Sequence, residues 1–522
     1  MPPVKSNRLV LTVRERLQWV ANWLVNGPHY PGSGGPSVWW DSLGGEAYVY
    51  PHEGMVSRSR TWQPAGAFQA GMLDFEQWLG ESRLTVGYAH SYIHSPVDQQ
   101  ALLLAGSDDG LRIYLNGKSV FSTNSTRVFV PDQDRVSVNL RVGINRLMLK
   151  STKWSGEWRV SARLESAHKV SFPPPPNAPA GDGVFYVRAD AGPGGDGLSW
   201  GAALPDIQAA IDLAADEGGG QVWVAGGVYA RSIRLRPLVR VYGGFAGFET
   251  ALDEREPRVN STVIRAAGAS YAVRGADQSV LDGVGITGGG YGVYCDGASP
   301  LLRGCDIYAC DTGVMAVNDS APGIFACRIY ANRWYGVQCH LGSSAVIRRC
   351  VISGNDRLGV YCYTRCNAEI ADSVIDRNGL HGVFVEYSSP RVFNCTIARN
   401  GGYAVHSRGS NITLVNSIVS GNGWAGGGAI ALAAGSAPVV RSSCFWDNGP
   451  QQFAGLDSPV GLNANLQDDP CFVDIDSGIY SLGAGSPCID AGDNACVVGD
   501  IDLYGRRRVA RRTVDLGAVE AQ

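Results

Sequence analysis

Seven segments of this chain align on one small residue followed, two places later, by a large apolar one. The small residues are Cys305, Cys327, Cys350, Ser373, Cys395, Ser417 and Ser443; their partners are Ile307, Ile329, Ile352, Ile375, Ile397, Val419 and Phe445. Five places after the small residue stand Cys310 and then Asn332, Asn355, Asn378, Asn400, Asn422 and Asn448. The unit recurs every 21 to 26 residues, a period that belongs to stacked coils rather than to a single globular core. Residues two apart in a strand share a face, so the small and the apolar residue both point inward, and stacking sets like side chains ~4.8 Å apart. Asparagine tolerates the left-handed backbone of a sharp turn, and its amide bonds along its own ladder. The expected fold class is all-β, with a right-handed parallel β-helix over residues 184–522.

A second strand follows each asparagine: GVYC at 292, GVMA at 313, GVQC at 336, GVYC at 359, GVFV at 382, AVHS at 404 and GAIA at 428. Alternation sends the valine and the fourth residue inward, so Cys295, Cys339 and Cys362 read as interior thiols without chemistry. The total of 13 cysteines is odd, which leaves at least one unpaired; a disulfide among Cys471, Cys488 and Cys496 stays open. DIQAAIDLAAD, residues 206–216, is an amphipathic helix suited to capping the first open coil.

SFPPPPNAPAGDG, residues 171–183, is a stiff polyproline-type linker. Before it, residues 1–170 carry alternating runs such as LRIYLNGKSVF (111–121) and VSVNLRVGINRLMLK (136–150), the pattern of an antiparallel β-sandwich. A length of 522 residues agrees with two or more domains, and 45% hydrophobic with 18% charged residues with a globular chain. The formal net charge of −4 leaves no basic footprint for nucleic acid, and no apolar run is long enough to span a bilayer. The N-terminus, MPPVKSNRLVLTVRER, lacks a secretory pattern. The expectation is a secreted or cell-surface monomer whose leader has been removed.

Three stretches, WLVNGPH (23–29), GSDDGLRIYLNGK (106–118) and PDQDRVSVNLRVGINRLMLK (131–150), resemble the jelly-roll modules attached to bacterial carbohydrate-active and surface proteins. Within them Asp108 and Asp109 read as a Ca2+ loop or as an Asx-type turn. Trp39, Trp40 and Trp62 read as core or as a sugar-stacking platform. FYVRADAGPGGDGLSW (185–200) and VYGGFAGFET (241–250) resemble the entry segment of bacterial pectate-lyase-like β-helix proteins, and residues 465–522 resemble their closing segment. That resemblance implies a carbohydrate-active protein with a polysaccharide as substrate or ligand.

The outward columns of the second strand follow by alternation. One holds Tyr294, Met315, Gln338, Tyr361, Phe384, His406 and Ile430; the next holds Asp296, Val317, His340, Tyr363, Glu386, Arg408 and Leu432. The turn before the strand adds Asp311, Arg333 and Asp356, then Trp334 and Arg357, then Thr312, Tyr335, Leu358, His381 and Tyr403. Asp311, Arg333 and Asp356 also read as a solvated ion-pair ladder. The cluster of His340, Tyr361, Tyr363, Glu386, His406 and Arg408 is too rich in acid–base groups for an idle face, with His381, Asp356, Arg357, Trp334 and Arg333 as binding residues around it.

Three readings compete for that cluster. In β-elimination or C5 epimerisation of a uronate, Arg408 neutralises the substrate carboxylate, His406 or His340 abstracts the C5 proton, and Tyr363 or Tyr361 protonates the leaving oxygen. The last lysine of the chain is Lys169, so no lysine of the β-helix can be the base. In glycoside hydrolysis Glu386 would work with Asp356. LHGVFVE (380–386) is similar to the GHG strand of polygalacturonases and CDTGV (310–314) to their NTDG strand, but their defining aspartate pair is not reproduced. The third reading is a non-catalytic adhesin or carbohydrate-binding scaffold. Zinc, phosphate-loop, dinucleotide and Ser-His-Asp signatures are not apparent; DIDSG (474–478) is a Ca2+ hint in a tail loop.

Overall fold

A computed structural model of the chain describes residues 17–30, 35–39, 41–43, 46, 49, 51, 53, 55–57, 60–67, 71–80, 83–174, 183–266, 268–433 and 435–522. Trp40, the N-terminal run and linker residues 175–182 lie outside the described residues. The chain divides into two units, Met1–Val38 with Pro51–Ala178, and Trp39–Tyr50 with Pro179–Gln522. The architecture is all-β and only 5% helical.

The first unit contains two main antiparallel sheets. One orders Leu17–Trp19, Arg159–Ser166, Gln99–Ser107 and Asp134–Leu140; the other orders Lys118–Thr123, Leu111–Leu115, Gly143–Lys153, Thr85–Ser95, Trp23–His29 and Gln63–Ala65. The period of two does its expected work: in DRVSVNL, Val136, Val138 and Leu140 are buried while Arg135, Ser137 and Asn139 are exposed. Trp62 is fully buried and its Nε1 donates to Ser57 Oγ at 3.0 Å, so it is core and no sugar platform. Asp108 accepts backbone N–H groups of Phe129 (2.8 Å) and Arg159 (3.0 Å), and Asp109 accepts that of Trp154 (2.7 Å). These donors are distant in sequence, so the pair forms neither a calcium loop nor a local Asx turn.

The second unit is a right-handed parallel β-helix of about 10 turns. Each full coil gives three short strands, which stack into a first sheet ending at Val439–Arg441, a second ending at Cys444–Trp446 and a third ending at Phe453–Ala454. The helix Ile207–Asp216, N-capped by Asp206, turns Ile207, Ala210, Ile211 and Ala214 onto the entry coils. Ile307, Ile329, Ile352, Ile375, Ile397, Val419 and Phe445 are successive register partners, all completely buried. Burying each such side chain contributes about 1.5–3 kcal/mol.

A buried corner leaves backbone N–H groups without strand partners, and each of the three corners meets that demand with a side-chain ladder. Between the second and third sheets, each asparagine amide donates to the next: Asn332 to Asn355, Asn355 to Asn378, Asn378 to Asn400 and Asn400 to Asn422, all at 2.9 Å. The left-handed residue is the one before the asparagine, as at Ala331 (φ 52°) and Arg399 (φ 55°), rather than the asparagine itself. Between the first and second sheets the small residues are more than fillers: Ser373 Oγ accepts Cys350 N–H at 3.1 Å and Ser417 Oγ accepts Cys395 N–H at 3.2 Å. Between the third and first sheets Ser343, Ser388 and Ser410 accept from Ser320, Cys366 and Ser388 in the same way.

The tail does not stack as another coil but doubles back. Tyr480, Ala518 and Val519 cover Val374 and Ala398 of the second sheet, and Leu482, Cys488 and Leu516 cover Ile418 and Cys444. Cys496 and Val498 cover Ala371, Phe393 and Val415 of the first sheet, where Trp39 also packs on Phe393 and under Arg391. Every cysteine is a free thiol, so the tail trio forms no disulfide; Cys488 instead lies in one apolar cluster with Cys444. Among the described residues of this unit, no segment covers the outer face of the third sheet.

Candidate functional site

The third sheet displays its side chains because of a tight inner contact. A Cβ on Gly336 would lie 2.5 Å from Ile352 Cγ2 and 2.7 Å from Gly359 O, so the GV step hugs the core and the residues on either side project outward. The register then builds the columns. Gln338, Tyr361, Phe384 and His406 are consecutive partners, as are His340, Tyr363, Glu386 and Arg408. One coil departs from the alternation: Ile430 pairs with Val405 and is buried, so Ala431 and Ala433, not Ile430 and Leu432, continue the two outward columns. An extra residue, Ala429, shifts that strand by one.

Two hydrogen-bonded groups occupy the face. In the first, Tyr361 Oη donates to Glu386 Oε2 at 2.6 Å, and Arg408 Nη1 reaches Glu386 Oε1 at 3.3 Å. Tyr361 stacks on Phe384 (5.3 Å between centroids), and His340 stacks on Tyr363 (4.8 Å). Burial, reinforced by the Glu386 carboxylate, raises the Tyr361 pKa, so its phenol keeps its proton at neutral pH. Glu386 has 13% of its side chain exposed and Arg408 55%, so a ligand reaches the cation most easily.

In the second group, Tyr403 N–H donates to His381 Nδ1 at 2.9 Å, and His381 Nε2 lies 3.1 Å from His406 Nδ1. Burial, with the charge of His406 adding to it, lowers His381 to about 4; burial also lowers His406, against a raising effect of Glu386. Tyr403 Oη donates to Gln451 Oε1 at 2.8 Å. From sequence Tyr403 is a turn residue, and neither Gly402 nor Gln451 stands in an outward column. The one available signal was the GGY step at 401–403, where a smaller residue makes room for a neighbour's ring.

The remaining expected residues lie on the turn leading into the sheet. Arg333 sits 3.6 Å from Asp311 and beside the Trp334 ring, both charges well exposed, as expected for a solvated pair. Asp311, Arg333 and Asp356 line a trough of about 630 Å3 floored by Gly289 and Gly290. Asp356 and Arg357 are exposed at the start of Leu358–Tyr363, whereas Glu386 pairs with Tyr363 at its far end. At ~3.3 Å per residue that strand alone separates Asp356 from Glu386 by roughly 17 Å. Two carboxylates so far apart cannot flank one glycosidic bond, which needs ~5–9.5 Å. The structure does not bring the expected pair, Glu386 and Asp356, together. His340 and Arg408 are three register steps apart, ~14 Å, so His340 stands away from the cation while His406 shares its strand. In the tail, Asp474 Oδ1 accepts Ser477 N–H and Asp476 pairs with Arg399.

Comparison with protein families places right-handed β-helix regions at residues 258–392 and 358–466. These segments match that family. Among solved structures, the Azotobacter vinelandii mannuronan C-5 epimerase AlgE6 A-module is 17% identical, covering 50% of this chain and 85% of that one, with a TM-score of 0.30. The periplasmic alginate epimerase AlgG is 13% identical over 43% of this chain and 74% of that one, with a TM-score of 0.26. The catalytic domain of a GH87 alpha-1,3-glucanase is 9% identical over 81% and 99%, with a TM-score of 0.23. Comparison with curated proteins finds no match. Among the described residues no helix is long and apolar enough to cross a membrane.

Proposed function

We propose that the outer face of the third sheet binds a uronate-containing polysaccharide and abstracts the proton at C5, leading to β-elimination or C5 epimerisation. The observation that carries this reading is the contiguous Arg408–Glu386–Tyr361 array, a cation, a carboxylate and a protonated phenol within 3.3 and 2.6 Å of one another. A substrate carboxylate takes over the exposed Arg408, which sets the adjacent C5–H beside the displaced Glu386. Glu386 accepts the proton and the bonding pair moves into the carboxylate as an enediolate. In elimination the C4–O4 bond then breaks, Tyr361 Oη protonates O4, and a C4=C5 double bond remains. The proton on Glu386 returns to the phenolate through the existing hydrogen bond, restoring the starting state. In epimerisation C4–O4 stays intact, a water on the opposite face gives its proton to C5, and the hydroxide left takes the proton from Glu386.

The base in this scheme is Glu386, in place of the His406 or His340 expected from sequence. His340 stands too far from the cation, and His406 is held in a form taken up below. The same reading makes the N-terminal antiparallel unit an accessory jelly-roll module and puts the protein outside the cytoplasm, where such polymers lie. A panel of polyuronates tests it: at least one should yield unsaturated product or inverted C5 centres, and Arg408→Ala should abolish either while the circular-dichroism spectrum is unchanged. Glycan binding with no turnover on any member would favour the scaffold reading instead.

A further inference from the structure

We infer that His381 is a positioning residue that locks His406 into the neutral tautomer with its proton on Nε2, making His406 a hydrogen-bond donor to the substrate rather than a base. The inference rests on the reading of the third sheet given above, but its geometry is independent of it. A backbone N–H can only donate, so the 2.9 Å contact from Tyr403 N leaves Nδ1 of His381 as a lone pair. The single proton of neutral His381 is therefore on Nε2, which faces His406 Nδ1 at 3.1 Å. His406 Nδ1 must accept, and the proton of neutral His406 goes to Nε2. Charging His406 would place two N–H groups head to head, so the same contact keeps the ring neutral.

The site is built for this contact. A Cβ on Gly402 would lie 2.5 Å from His381 Nδ1 and 2.8 Å from its Cε1, so only glycine lets the ring approach the Tyr403 amide. The rings of His381 and His406 meet edge to face at 4.7 Å, with Phe384 packed against both. His406 lies two residues before Arg408 on one strand face. A neutral imidazole N–H beside the arginine suits the oxygen on which negative charge grows as C5 loses its proton, since it stabilises that charge without surrendering a proton.

The experiment is nitrogen-shift NMR of the full chain carrying labelled histidine, followed by kinetics on the polyuronate that is turned over. Wild type should show His406 with Nδ1 bare and Nε2 protonated. His381→Phe should release Nδ1, mix the two tautomers and lower kcat about 10- to 100-fold with KM nearly unchanged. His381→Gln, whose amide can still donate to Nδ1, should restore the tautomer and most of kcat. Gly402→Ala should reproduce the effect of His381→Phe by pushing the His381 ring aside. Wild-type His406 protonated on Nδ1, or a His406 tautomer unchanged in both His381→Phe and Gly402→Ala, would overturn the inference. The expected tautomer in a protein inert to every polyuronate would refute the glycan chemistry and leave the His381 assignment standing.

Discussion

Glu386 connects the two ends of the proposed chemistry, taking Tyr361 on one oxygen and Arg408 on the other. Glu386→Gln keeps the shape and removes the base, so turnover should fall at least ~10³-fold with little change in glycan binding, as read from kcat and KM. Arg408→Lys keeps the charge but loses the planar fork, and should raise KM or lower kcat by ~10-fold or more. The groups around His406 are His381, Glu386, Arg408 and Tyr403, and its pKa and that of His381 are both lowered. Activity should therefore hold while these rings are neutral and fall as pH drops toward 4, where His381 gains a proton on Nδ1 and can no longer accept the Tyr403 N–H that positions its ring. The outward columns of these residues were legible from alternation alone. The pairings within them were not, because whether Tyr361 bonds to Glu386 of the next coil depends on side-chain rotamers, and the His381 tautomer depends on a backbone N–H exposed by Gly402.

At the scale of elements, stability sits in the corners. Asn378 donates to Asn400 Oδ1 and Ile352 O and accepts from Asn355. Asn378→Ala leaves several of these buried groups unpaired at about 1–3 kcal/mol each, so thermal unfolding should move down by several degrees, while exposed Arg357→Ala should move it little. The asparagine register and the aliphatic column were readable because like residues recur at fixed spacing. The serine ladder at the third corner recurs at the same spacing, with Cys366 in the place of one serine, but its bonds to backbone N–H groups show only in the structure. The shift at Ala429 was hidden for a related reason: GAIA fits the GV pattern equally well in either of two registers, and only pairing with Val405 and the following strand separates them.

At the scale of the whole β-helix unit, the tail decides which sheets are covered. It covers the first and second sheets around a buried Arg508, whose guanidinium faces Asp372 and Glu520 and donates to Gly517 O at 2.6 Å. Burial raises Asp372 to about 6 and Glu520 to about 7, with Arg508 pulling both back. A carboxyl raised in the folded state binds its proton more tightly than in the unfolded chain, so it adds stability below the ordinary carboxylate range, near ~4, and that contribution is lost as pH rises. Stability against heat should thus decline between pH 5 and about 7 through these two groups, and Glu520→Gln should flatten the decline; a rise over that range that the variant leaves unchanged would contradict it. The closing segment was recognisable in sequence as an ending, but its doubling back was not, because contacts such as Tyr480 on Asp376 join residues far apart in the chain. With two faces covered, the claim that the third works on a uronate is tested most directly by following C5–H of polyuronates in deuterated water by NMR. The account predicts deuterium at C5, or loss of C5–H with a new C4=C5 bond, for wild type and neither for Glu386→Gln; C5–H retained with every polyuronate by wild-type protein would contradict it.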